Sequence, residues 1–411
     1  MGEPMVEKKE KVEFICPFNK IIQQKLNLGK SDFLKRYNPW NSGRANKLMK
    51  KFINNGDDFT WLDIVDNHWK KMNNNIKFGI PNHVRGDIEN AKLFVCLTNP
   101  NIAIRDNNEF NSLEEYYSFG EENDNSQKSE LKNQSEYKIA KANFEEAKKR
   151  LERAEWELAK IDDCSLNKEY FTDCKLVKKH ICAFEAEDSI LFNELTWYEE
   201  GKVEDLDQVY YLSHYFDQMI KDAYCLKTGA KTRDLAIILK DKKWLEGESI
   251  TFFELLKEAS KRIVNLESYP FRSQNPGEFG KEIADSKTYV SLFSARIILW
   301  RIFRWEYLDR DEKTRPIFIF RRYEDFWEKQ IKSVLKMDYG FKESELKYIL
   351  PLLEKGYFYT INKKDNKQQT RYVSQATIYK NNEKIEDNDY NRILSIFLCN
   401  KKEAEQAQLS E

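Results

Sequence analysis

Leu93-Phe-Val-Cys-Leu-Thr-Asn-Pro-Asn101 is the stretch whose reading decides the fold. Leu93 to Leu97 are all apolar and then stop at Thr98, Asn99 and Pro100. A strand with one wet face alternates apolar and polar residues. An unbroken apolar run of this length, closed by Asn-Pro, instead predicts a strand buried on both faces, as in a parallel sheet. Parallel neighbours need crossover connections, so the same pattern should recur downstream with helices between. It does. Residues 263–266 (Ile-Val-Asn-Leu), 316–320 (Pro-Ile-Phe-Ile-Phe) and 357–361 (Tyr-Phe-Tyr-Thr-Ile) read as strands. Helical patterns cover 252–262, 286 to about 308, a stretch holding Phe326 and Trp327, and 343–353. The expected fold is α/β, a three-layer α/β/α arrangement around a mostly parallel central sheet.

Outward from that core, residues 1–79 read as an N-terminal helical region, with Ser42 and Thr60 placed as helix caps. Residues 80–104 and 248–400 carry the α/β patterning, and 105–247 read as a helical insertion. Within it Tyr137, Ala140, Phe144, Ala147, Leu151, Ala154, Leu158 and Ile161 recur at alternating spacings of three and four. That seam predicts a coiled-coil-like helix over about 137–161, packing on another helix or on a second copy. Residues 206–224 read as a further helix and a candidate partner for it.

The chain has 411 residues, 41% of them apolar, with 26 Phe, 21 Tyr and 9 Trp, enough to bury a sizeable core. Its 68 basic and 69 acidic residues leave a formal net charge of -1, so attraction to nucleic acid has to come from a local patch. No apolar stretch approaches the roughly 18 to 20 residues that span a bilayer, so no membrane association is expected. The opening 14 residues hold charges and no apolar run, and the 7 cysteines contain no CxxC pair. Both features predict a cytoplasmic protein with reduced thiols. Cys164, Cys174, His180 and Cys182 cluster in sequence, but their spacings match no zinc finger or ribbon, and no metal is expected.

Chemistry in an open α/β sheet gathers at the carboxyl ends of strands. Three such ends stand out: 98–101, 267–273 and the stretch from 361 to 377. The Gly-rich dinucleotide and P-loop patterns, HExxH and GxSxG are all missing from the sequence. With those motifs go the redox, kinase-type, zincin and hydrolase-elbow readings.

The order of short motifs resembles the uracil-DNA glycosylase superfamily, in the branch whose first motif is a hydrophobic strand followed by Asn-Pro-Gly, as in mismatch-specific thymine/uracil glycosylases. The residues carrying the likeness are 81–100, then Pro270-Phe271-Arg272-Ser273 at a second turn. A strand at 317–320 follows, with Arg321, Arg322 and Trp327 after it, and then a late loop from Asn362 through Arg371 and Ser374. This chain has Asn101 where the motif has Gly, and Arg272 where relatives have His. The resemblance implies a DNA glycosylase that flips a base, possibly a modified one, and hydrolyses its N-glycosidic bond without a cofactor. It makes Asn99 the catalytic residue that orients water. Thr98, Pro100, Asn101, Glu267, Tyr269, Phe271, Arg272 and Ser273 would line the base site, and Arg371 and Ser374 would touch DNA. A separate basic stretch interleaved with Tyr37 and Trp40, containing Lys35, Arg36, Arg44 and Lys47, is a second candidate DNA contact.

Two other functions fit the same sequence. One is a catalytically altered or inactive glycosylase-fold protein that binds nucleic acid, for instance in defence. The other is an interaction scaffold working through 137–161, in which deleting 135–162 abolishes association but leaves the α/β core folded.

Overall fold

Leu93–Leu97 forms a strand with all five residues buried, as the unbroken apolar run requires. It sits inside a computed structural model that describes residues 28–43, 45, 81–100, 174–203, 205–206, 209–231, 233–245, 250–270, 289–361 and 372–398. In chain order the described elements begin with α1 (Lys30–Tyr37), β1 (Val84–Arg85), β2 (Leu93–Leu97), α2 (Cys174–Ile181) and β3 (Cys182–Ala183). Then come α3 (Ile190–Glu199), α4 (Asp217–Thr228), α5 (Leu235–Leu239), α6 (Phe252–Ser260) and β4 (Ile263–Glu267). The last part holds α7 (Tyr289–Arg304), β5 (Ile317–Arg321), α8 (Glu328–Tyr339), α9 (Glu343–Tyr357), β6 (Phe358–Ile361), β7 (Ile378–Lys380), β8 (Glu383–Lys384) and α10 (Asp387–Phe397).

The strands form one eight-stranded sheet in the order β3-β1-β4-β2-β5-β6-β7-β8. Its middle, β4-β2-β5-β6, is parallel, whereas β1 runs against β4 and the pairs β6–β7 and β7–β8 are antiparallel. The sheet is therefore mixed, with a parallel centre. Alternate residues feed two separate cores. Phe94, Cys96, Val264, Leu266, Phe318, Phe320 and Phe358 pack against α1, α7, α8 and α9. The Phe94 and Phe318 rings stack at 4.6 Å within this core. Leu93, Val95, Leu97, Ile263, Ile317, Ile319, Tyr359 and Ile361 pack against α3, α4, α5, α6 and α10.

Helix α7 is buried along nearly its whole length, from Val290 to Phe303, because it lies between the sheet and its neighbours. Two arginines go under with it. Arg296 is matched by Asp338 at 2.7 Å, and Arg301 donates to the Thr314 carbonyl at 2.9 Å.

The structure alters the sequence reading in three places. Residues 174–245, expected within the insertion, supply strand β3 and much of the helical layer on one face of the sheet. Their apolar side chains are what covers Leu93, Val95 and Leu97. The single helix expected over 206–224 is interrupted by a π-helical turn at Tyr211–Tyr215, and α4 starts only at Asp217. The cause is Glu194, whose buried carboxylate accepts the backbone N–H of Tyr211 at 3.1 Å and of Leu212 at 2.6 Å. Finally, the helix expected to reach 308 ends as α7 at Arg304 and continues as a π-helical turn, Trp305–Asp309. The heptad segment 137–161 lies outside the described residues.

Candidate functional site

The parallel strands run, by position in the chain, in the order second, first, third, fourth. Of the described helices between β2 and β4, α3 to α6 pack on one face, whereas α7, between β4 and β5, and α8 and α9, between β5 and β6, pack on the other. Sheets wound this way have a switch point beside their first parallel strand, where loops diverge and leave a crevice at the carboxyl ends. Here the switch point lies between the ends of β2 and β5. The residues delivered to it are Thr98, Asn99 and Pro100 from β2, and Arg321 and Arg322 from β5.

The β2 end is tightly fixed. Backbone pairing continues past the strands, with Ser268 N–H donating to the Leu97 carbonyl at 2.9 Å and Tyr269 N–H to the Thr98 carbonyl at 3.0 Å. Thr98, Pro100 and Tyr269 are buried and Asn99 is half-buried. The Asn99 side-chain amide donates to the Pro100 carbonyl at 3.0 Å, which sets the orientation of its carboxamide.

The β4 end is pinned from the opposite face. Ser294 Oγ donates to the Glu267 carbonyl at 2.7 Å, and Ser268 Oγ donates to Gln330 Oε1 at 2.9 Å. Gln330 Nε2 returns a bond to the Ser268 carbonyl at 3.3 Å. Backbone held by α7 and α8 in this way is the rigid support that a preorganised site needs.

Glu267 is buried at 4% exposure and follows Ile263 and Asn265 toward the face that carries the Tyr211–Tyr215 turn. Burial drives the Tyr211 hydroxyl well above its ordinary pKa, and the Glu267 carboxylate pushes the same way. Burial also raises Tyr215, where the Arg321 guanidinium pulls down and Glu267 pushes up. Register agrees with this grouping. Glu267 pairs with Leu97, and the alignment of Cys96 with Phe320 carries Leu97 alongside Arg321. Glu267, Arg321, Tyr211 and Tyr215 therefore form one electrostatic neighbourhood. Below it, the amide N and O of Asn265 (3% exposed) and the Tyr215 hydroxyl have no hydrogen-bond partner among the described residues.

Arg322 adopts a left-handed backbone, φ 53 and ψ 53. A branched-off side chain at positive φ is costly for a residue other than Gly, and such strain concentrates at functional sites. It heads the π-helical turn Tyr323–Trp327, whose Tyr323 hydroxyl donates to Glu354 at 2.9 Å.

Of the residues expected at the site, the structure brings together Thr98, Asn99, Pro100 and Glu267, whereas Tyr269 joins through its backbone N–H, its ring being buried in the core on the opposite face. Ser374 is buried and its backbone N–H and hydroxyl engage Thr377 within a turn, next to Val373, whose N–H donates to the Tyr215 carbonyl at 2.9 Å. Lys35 and Arg36 are exposed on α1, in the layer opposite the face that Glu267 joins. Asn101, Phe271, Arg272, Ser273, Arg371, Arg44 and Lys47 lie outside the described residues.

Arg321 and Arg322 were named from sequence among the residues carrying the family likeness but given no place at the site, and Tyr211 and Tyr215 gave no signal. Among the described residues no helix is long and apolar enough to cross a membrane. Comparison with protein-family models, with curated proteins and with solved structures gives no significant match.

Proposed function

We propose that this chain is a base-excising hydrolase of the uracil-DNA glycosylase type, a three-layer α/β/α protein that draws a flipped base into the crevice between β2 and β5. The observation that carries this reading is the position of the Asn99 turn. It stands at the switch point of the parallel sheet, with its backbone bonded to the end of β4 through Thr98 and Tyr269.

In this reaction water attacks the anomeric carbon of the deoxyribose, the N-glycosidic bond breaks, and the base leaves as an anion that takes up a proton. A neutral carboxamide is too weak a base to take the water's proton early, so Asn99 acts by positioning. Its Nδ2 donates to the Pro100 carbonyl, which makes Oδ1 the atom that aligns the water. Glu267 supplies negative charge favouring an oxocarbenium-like sugar, and Arg321 supplies positive charge favouring the departing base. The buried Asn265 amide offers a donor and an acceptor suited to a heterocyclic base.

The test is abasic-site formation in labelled oligonucleotides carrying uracil, mismatched thymine or modified bases, read by alkaline strand cleavage. Asn99→Ala should lower the rate at least about a hundredfold, in line with losing a group that positions the nucleophile, with thermal unfolding unchanged. Full activity in that variant, or no abasic product from any of the bases, overturns the reading.

A second reading, a nucleic-acid-binding protein that keeps the fold without the chemistry, is favoured by Asn101 and Arg272 standing where the resembling motifs have Gly and His. Salt-sensitive DNA binding without abasic product would select it.

A further inference from the structure

Residues 226–245 hold six cations against two carboxylates, in a chain whose formal net charge is -1. Lys231, Arg233, Lys240, Lys242 and Lys243 are all exposed. One of the carboxylates is already engaged, since Asp241 accepts from the Tyr224 hydroxyl at 2.6 Å and from Lys243 N–H at 3.0 Å, with Arg233 at 3.9 Å. Glu246 and Glu248 follow, outside the described residues.

Amid these cations the Trp244 side chain is 71% exposed, and Ile237 and Leu226 are exposed at 51% and 53%. Tryptophan is seldom left this open. Its backbone is nevertheless held: Trp244 bridges Thr251, and the buried Leu245 donates its N–H to the Ile250 carbonyl at 3.0 Å. Thr251 in turn caps α6 through a reciprocal pair with Glu254. A large aromatic face is thus presented on an anchored chain directly after Lys242 and Lys243, with Arg233 brought near by its ion pair to Asp241.

The surface also lies on the relevant side of the molecule. Helix α6 feeds directly into the start of β4 through Lys261 and Arg262. Its other end, beside Thr251 and Trp244, therefore points back toward the carboxyl ends of the parallel strands, where Thr98 and Asn99 stand.

We propose that this surface binds single-stranded DNA, with one unpaired base stacked on Trp244 and the phosphates passing Lys231, Arg233, Lys240, Lys242 and Lys243. A π-face beside exposed cations is what sequence-tolerant single-strand binding requires. The choice of DNA rests on the base-excision reading above. The surface would lead a strand toward the crevice, a contact separate from the α1 region.

The experiment is fluorescence anisotropy of 5′-labelled dT20 with the full chain over a range of salt, together with the abasic-site assay. Trp244→Ala should weaken binding about tenfold, and Trp244→Phe should restore most of it. The double variant Lys242→Glu, Lys243→Glu should weaken binding and flatten the log Kd against log salt slope by about 1.4, roughly 0.7 per lost phosphate contact on a single strand. Circular dichroism melts check that the variants fold. Wild-type failure to bind dT20, or unchanged binding in both Trp244→Ala and the double-lysine variant, overturns the surface. So does equal affinity for rU20, which would assign it to RNA. Product formation with unchanged variant binding removes this surface alone. Weakened variant binding without any abasic product supports the surface while removing the excision chemistry.

Discussion

His83 is fully buried, and its Nδ1 accepts the indole N–H of Trp40 at 3.2 Å. That bond leaves Nε2 as the protonated nitrogen, with the Phe293 ring 5.3 Å away. Burial lowers the His83 pKa from 6.5 to about 3. Because the folded value lies below the unfolded one, the unfolded chain binds the extra proton first. Stability is therefore fully present above about pH 6.5 and falls as pH drops from there toward 3. Between pH 7.5 and 5.5 this one group should remove on the order of 1 kcal/mol. Urea unfolding at the two pH values measures it, and His83→Gln should show a smaller difference than wild type.

Arg322 allows a different separation. Replacing it with Gly relieves the left-handed backbone by about 1 kcal/mol, so Arg322→Gly should unfold at the same or a higher temperature. A lower melting temperature would mean that the side chain's contacts outweigh the strain.

Among the elements, the π-helical turn Tyr211–Tyr215 depends on a residue far away in sequence. Glu194→Ala would leave two buried backbone N–H groups without their charged acceptor, at a cost of about 2–4 kcal/mol, visible as a lower urea midpoint. The contrast between this turn and β2 explains what the sequence disclosed. β2 was legible because an apolar run and an Asn-Pro stop are local signals, and the mostly apolar runs of β4, β5 and β6 gave bounds that hold to within a residue. The π-helical turn was not legible, because the interaction that reshapes it comes from α3. Strands β1 and β3 have two residues each, too few for any periodicity. β1 is seated instead by close approach: at Gly86, φ +114, a Cβ would lie 2.7 Å from the Ile263 carbonyl oxygen. The site divides the same way. Thr98, Asn99, Glu267 and Tyr269 could be found by looking at strand ends. Arg321 is also a strand end, the last residue of β5, whereas Tyr211 and Tyr215 join them only once the helical layer folds over the sheet.

For the molecule as a whole, the two cores make the helical layers unequal in sequence origin. One face is covered by α7, α8 and α9, which lie between parallel strands. The other depends on Leu191, Leu195, Leu212, Met219, Ile220 and Leu235, all from the stretch that sequence patterning assigned to an insertion. Deleting 174–245 should therefore uncover Leu93, Val95 and Leu97 and abolish cooperative thermal unfolding, with dye binding to the exposed apolar face. Deleting 137–161 should preserve the cooperative transition. If both deletions melt alike, the cores are not organised as described.

The outermost strands, β3 and β8, are each two residues long, and β8 is an exposed Glu-Lys pair. A sheet recruits another chain through a row of unpaired backbone groups along its margin, and margins this short and this charged offer very little template. Among the described residues, then, the sheet is guarded against growing by strand addition, and copies meeting through those residues would do so by side-chain surfaces.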